Sequence, residues 1–233
     1  NLPEIYWSES RLFGKKDRRP LVWFEGTYAG LNTELTKYAG LTSIYSADNF
    51  YENICGVTPA QYKKYVTKIY EKNRDEILKN KLLSDAARTY MINNLEMSYF
   101  FAIKGYKGTI SYAPMISGKK RADMTVGENY YDDILRLDFI HSPYIRYGGY
   151  PDFVRAATED FKGKFEPQPI WEDILRAKPL GSILARLKPL SEKQMLTLDS
   201  ISEPEIKKAL TIRNQKVMDL LAESAKKTGY TIC

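Results

Sequence analysis

The sequence predicts a mainly α protein with little strand. Three observations carry that reading. Apolar residues recur at steps of three and four through most of the chain after residue 28. Helix-start signatures stand at Thr58, Ser84 and Ser202. Glycine and proline cut the intervening stretches into short connections rather than long linkers. The 233 residues are 43% hydrophobic and 27% charged, a balance that supports a packed core rather than disorder. Residues 1–27 read as an irregular N-terminal segment with one strand, and 28–233 as a single helical domain.

Taken in order, the apolar run Leu21-Val22-Trp23-Phe24 lies between Pro20 and Gly26, so a short strand is expected near 21–25. Ala29 to Tyr38 forms a short helix around Leu31 and Leu35. Thr58-Pro59-Ala60-Gln61 is a capping box with proline at the first helical position. Tyr62, Tyr65, Val66, Ile69, Tyr70 and Ile77 then make one apolar stripe on a helix reaching about Lys81. Ser84 caps a second helix carrying Ala87, Met91, Leu95 and Phe101, and the short connection makes the two antiparallel.

Gly105, Gly108, Pro114 and Gly118 interrupt the pattern. Thr109-Ile110-Ser111-Tyr112 alternates, which predicts a short strand or extended loop near 109–113. Helix resumes from about Glu128 to His141 and again from Asp152 to Phe161. Further helices are expected over 171–177, 181–187 and 191–201, cut by Pro179 and Pro189. Ser202-Glu203-Pro204-Glu205 is a capping box for the last helix, with Ile206, Leu210, Val217, Leu220 and Leu221 as its stripe and Gly229 as its stop.

Composition also excludes chemistry. One histidine, His141, rules out any site needing two, and Cys55 and Cys233 are too few for a disulfide framework. There is no His-Glu-x-x-His, no Cys-x-x-Cys and no Gly-x-Gly-x-x-Gly. Gly118-Lys119-Lys120 resembles only the tail of a phosphate loop. No stretch is apolar enough to span a membrane. Catalytic, cofactor and metal residues are therefore expected to be none.

The weaker signals have plain structural readings. His141, with Asp138 one turn before it, is a general-base candidate, yet it sits where an imidazole satisfies helix-terminal carbonyls. Asp132 and Asp133 are adjacent and do not face each other on a helix. Gly105-Tyr106-Lys107-Gly108 fits a backbone clamp for nucleic acid but is read as a turn. The net charge of +6 is modest, so no nucleic-acid partner is expected. Lys104, Lys107, Lys119, Lys120 and Arg121 occupy a stretch without an acid between them. Eighteen tyrosines are many, and Tyr106, Tyr112, Tyr130, Tyr144, Tyr147 and Tyr150 lie in or near predicted loops. Exposed phenols suit binding surfaces, while packed ones serve the core. The candidate interaction surface comprises Tyr106, Tyr112, Lys119, Lys120, Arg121, Tyr144 and Tyr147.

The segment Glu203-Pro204-Glu205-Ile206 through Val217-Met218-Asp219-Leu220-Leu221 to Thr228-Gly229-Tyr230-Thr231-Ile232-Cys233 resembles the stretch just upstream of the thioredoxin-like domain in TlpA-type thiol–disulfide oxidoreductases of Bacteroidetes. The helical part from Thr58 to Ile103 is similar to the middle region of such proteins. The redox motif itself is not in this chain. The resemblance implies the N-terminal portion of a longer protein, periplasmic or envelope-associated, with a C-terminal thioredoxin-like domain and client proteins as partners. The chain begins with Asn, so a signal segment is not visible and a processed end is expected. The leading expectation is a non-catalytic accessory domain that positions the redox domain or recognises its clients. The alternative is a glycan- or peptide-binding module using the Tyr-rich loops, with an enzyme centred on His141 third.

Overall fold

The computed structural model describes residues 5–8, 21–24, 29–118, 125–137 and 149–228. It is mainly α, as the helical periodicity requires. Strands β1 (Ile5–Ser8) and β2 (Leu21–Phe24) pair antiparallel, with Ile5 opposite Phe24 and Ser8 opposite Leu21. Where the sequence predicts one helical domain over 28–233, the chain packs as two compact units, 1–142 and 143–233.

The first unit holds α1 (Ala29–Lys37), 3-10 turns at Ala39–Thr42 and Ile44–Ser46, and α2 (Phe50–Asn53). The longer helices α3 (Pro59–Lys79), α4 (Asp85–Lys104) and α5 (Tyr106–Ser117) follow. The capping box at the head of α3 is complete. The Gln61 amide donates to Thr58 Oγ1 at 3.3 Å, and the Thr58 amide donates to Gln61 Oε1 at 2.8 Å. At α4 the Ala87 amide donates to Ser84 Oγ at 3.2 Å. Glu34 of α1 accepts from the Ser84 amide at 2.8 Å and its hydroxyl at 2.9 Å, placing a carboxylate at the positive end of α4. Arg88 donates to the carbonyls of Asn80 and Leu83 at 3.2 and 3.1 Å, which closes the connection between the pair.

The partners of α3 and α4 run in opposite order: Tyr62 meets Ala102, Thr67 meets Tyr99, and Tyr70 meets Glu96. The pair is therefore antiparallel. α4 is the central helix. Met91, Leu95, Met97, Tyr99, Phe100, Ala102 and Ile103 are all buried, more positions than one stripe accommodates. The two 3-10 turns are pinned against α3 and α4 by side chains. The Ile44 amide donates to Ser98 Oγ at 2.9 Å, and Asn73 Nδ2 donates to the Leu41 carbonyl at 3.2 Å.

The stretch expected as a strand near 109–113 is instead the middle of α5. Tyr106, Ile110 and Ala113 are buried at helical spacing, so tertiary packing decides the conformation. Pro114 within the helix costs roughly 3 kcal/mol. Burial of the Tyr106 and Ile110 side chains offsets it, at about 1.5–3 kcal/mol for each large side chain. Gly118 ends the helix at φ 69°, and its amide donates to the Pro114 carbonyl at 2.8 Å. The helix expected from Glu128 to His141 is a 3-10 helix over Glu128–Arg136, with extended backbone at Leu137. The rest of that expectation, His141 included, lies outside the described residues.

The second unit contains α6 (Tyr150–Glu159), α7 (Ile170–Ala185), α8 (Glu192–Asp199) and α9 (Pro204–Thr228). The two helices expected over 171–177 and 181–187 are one continuous α7 with Pro179 inside it. Trp171, Ile174, Leu180 and Leu184 share its buried side, and that common anchorage carries the helix through the missing donor. α7 stops in a double closure: the Leu187 amide donates to the Leu184 carbonyl at 3.1 Å and the Lys188 amide to the Ile183 carbonyl at 3.4 Å. Leu187 takes the left-handed position, at φ 55°. Phe153 sets its ring edge-on to Phe165 and Trp171, with centroids 5.5 and 5.9 Å away.

Two buried polar side chains tie this unit together. Asp173 Oδ2 accepts from the amides of Ser202 and Glu203 at 3.0 and 2.8 Å, so a carboxylate from α7 meets the start of α9. Asn214 of α9 accepts from the Leu190 amide at 2.9 Å and holds the approach to α8. α8 then opens with Gln194 Oε1 accepting from the Ser191 amide at 2.8 Å.

Candidate functional site

The fate of the tyrosines decides which sequence candidates form a surface. Tyr106 is fully buried because α5 turns it inward against Tyr62 and Tyr130, with centroids 5.0 and 5.8 Å apart. It is therefore a core residue and not part of an interaction surface. Tyr130 and Tyr150 are also buried. Burial drives the phenols of Tyr62, Tyr130 and Tyr150 above their ordinary range, since a phenolate loses hydration there. A ring-lined concavity thus loses these rings to the core. Tyr112 is half exposed and meets Tyr51 edge-on at 5.6 Å. Lys119, Lys120, Arg121, Tyr144 and Tyr147 lie outside the described residues, as does Cys233.

Around Tyr112 the sequence reading missed two neighbours. Met115 is 79% exposed and Ile116 51% exposed. Gly108, Tyr112, Met115 and Ile116 fall at i, i+4, i+7 and i+8, one face of α5 opposite its buried side. The spacing was present in the sequence, but it has meaning only once the segment is helical. Lys107 stands exposed one residue from this face.

Two cavities offer less. One of about 320 Å³ is lined by Tyr70, Glu71, Arg74, Asp75, Glu96, Arg136 and Leu137. Glu96 is buried, and the Tyr70 hydroxyl lies 3.5 Å from it, so acids and arginines intermingle without a nucleophile–base pair. The other, about 590 Å³, lies at the head of α3 beside Gly127 and Tyr130. Its Lys63 is already engaged. Nζ donates to the Tyr130 carbonyl at 2.8 Å, pairs with Asp133 at 2.8 Å and sits 5.6 Å from the Tyr130 ring centre. Asp132 and Asp133 are exposed, the ordinary state for such neighbours.

Gly105 and Gly108 do not form a clamp loop. Gly105 closes α4, and Gly108 lies within α5. Cys55 is half-buried in the turn after α2. Among the described residues no group of His, Cys, Asp and Glu is arranged to hold a metal ion, and no helix is long and apolar enough to cross a membrane. No family model matches the chain, and neither a curated protein nor a solved structure is significantly similar to it.

Proposed function

We propose that this chain is a non-catalytic, mainly helical accessory unit that precedes a thioredoxin-like thiol–disulfide oxidoreductase domain in the bacterial envelope. It would position that domain or recognise its client proteins. The observation that carries this reading is the state of α9. Ile206, Leu210 and Val217 are buried, whereas Met218 and Leu220 are about half exposed. The helix continues to Thr228 with its residues from 218 exposed or half-buried as far as they are described. Past Val217 these two apolar side chains are left partly uncovered by their own unit, on different sides of the helix. Its sequence runs into Thr228-Gly229-Tyr230-Thr231-Ile232-Cys233, the stretch that resembles the approach to a TlpA-type redox domain.

The test has two arms. The purified chain is assayed for reduction of insulin disulfides, where no turnover above buffer is expected. The reading frame beyond Cys233 is then sequenced, where a Trp-Cys-x-x-Cys motif is expected. Disulfide turnover by the chain alone, or a stop codon directly after Cys233, overturns the proposal.

A further inference from the structure

Asn214 is buried on α9, and the two ends of its amide are unequally served. Oδ1 accepts from the Leu190 amide at 2.9 Å, which fixes the way the group points. Nδ2 carries two hydrogens, and its acceptors are two thioethers. Met195 Sδ of α8 lies 3.7 Å away, and Met218 Sδ, one turn further along α9, lies 3.9 Å away. A thioether is a weak acceptor, so a buried donor is held in place but poorly compensated. Of the six methionines in the chain, the second unit holds these two.

Exposure decides which sulfur an oxidant meets. Met218 is 48% exposed, whereas Met195 is half-buried. A sulfoxide is polar, and in an apolar contact it is disruptive. At Met218 the added oxygen instead has a donor at hand, because Asn214 Nδ2 already faces the sulfur. The i, i+4 spacing puts both side chains on one face of α9, and the unbranched Met chain can adjust without moving the helix. Oxygen added there replaces a weak N–H···S contact by an ordinary N–H···O bond.

We propose that Met218 is an oxidation site whose sulfoxide is received by Asn214, so that peroxide makes the second unit more stable rather than less. In the step a sulfur lone pair attacks one oxygen of hydrogen peroxide. The O–O bond breaks, an S–O bond forms and water leaves, so sulfur gives up two electrons and the peroxide takes them. A methionine sulfoxide reductase supplied with a dithiol reverses the change. The inference is independent of the redox-accessory reading and survives its failure.

The experiment treats the folded full chain with hydrogen peroxide and reads the oxygen content of each methionine by peptide mass spectrometry. Urea unfolding of the second unit is followed by emission from buried Trp171, in a background carrying Trp7→Phe and Trp23→Phe. Met218 is expected to take up oxygen, and the folded-to-unfolded ratio of the second unit to rise about threefold. Treatment with the reductase should return it to the starting value. Met218→Leu, a change at a half-exposed apolar position, should fold as the parent does and lose the response to peroxide. Asn214→Ala should be weaker in both states and gain nothing on oxidation. The proposal is overturned if Met218 stays reduced under conditions that oxidise Met115, which is 79% exposed. It is overturned equally if oxidation of Met218 leaves the second unit no more stable, or if the gain persists in Met218→Leu.

Discussion

Replacing Asp173 by alanine tests the clamp between α7 and α9. The Asp173 carboxylate is buried and accepts two backbone amides through Oδ2, at 3.0 and 2.8 Å. Its Oδ1 lies 3.5 Å from Arg176 Nη1. A hydrogen bond to a charged acceptor contributes about 1.5–3 kcal/mol. Ser202 is exposed, so water replaces part of what its amide loses. Arg176 keeps Glu172 at 3.0 Å and is not orphaned. The expected loss is therefore about 2–3 kcal/mol rather than twice the single-bond value. With a urea slope of about 1–3 kcal/mol/M, the unfolding midpoint falls by roughly 0.7–3 M. Emission from buried Trp171 reports the second unit, in a background where Trp7 and Trp23 are changed to phenylalanine. Asp173→Asn keeps an acceptor and loses the charge, so its midpoint falls about half as far. A shift under about 0.5 kcal/mol for Asp173→Ala, or equal shifts for Asn and Ala, would refute the reasoning.

Other outcomes follow from single positions. Leu187 is exposed at φ 55°, so Leu187→Gly removes left-handed strain and should raise the same urea-measured stability by about 0.5–1 kcal/mol. Gly105→Ala would bring a Cβ to 2.8 Å from the Phe101 carbonyl oxygen, so thermal unfolding should show a loss of about 1–3 kcal/mol. Thr58→Ala removes the acceptor of the Gln61 amide at the head of α3 and should cost about 1 kcal/mol in the same scan. Burial raises the phenols of Tyr62, Tyr99, Tyr130 and Tyr150 above their ordinary 10.0. The folded chain therefore keeps protons that the unfolded chain releases. Their stabilisation is whole below pH 10 and declines as pH rises through the folded-state values, with phenolate absorbance appearing together with unfolding.

Local chemistry was legible where one short signal controlled one end of a helix. Thr58-Pro59-Ala60-Gln61 specifies the start of α3 because each polar group has its partner within the same turn. The α3–α4 pairing followed from the short connection for the same reason. The misreadings came from long-range packing. Pro179 reads as a break, but Ile174 and Leu180 on either side of it are buried on one helix. Thr109 to Tyr112 alternates over too few residues to separate strand from helix, and the burial of Tyr106 and Ile110 settles it. That error also hid the candidate surface, since Met115 and Ile116 join Tyr112 only on a helix. A carboxylate that meets the start of α9 comes from Asp173, nearly thirty positions earlier. No local pattern announces such a partner.

The enclosure of α4 has a consequence for deuterium uptake. Its amides from Met91 to Ile103 lie in a helix whose side chains are covered by neighbours on several sides. Exchange there has to wait for the first unit to open as a whole, so the slowest α4 amides measure that unit's global unfolding free energy. The outer turns of α9 exchange by fraying and carry no such information, which gives one experiment an internal clock and its own reference.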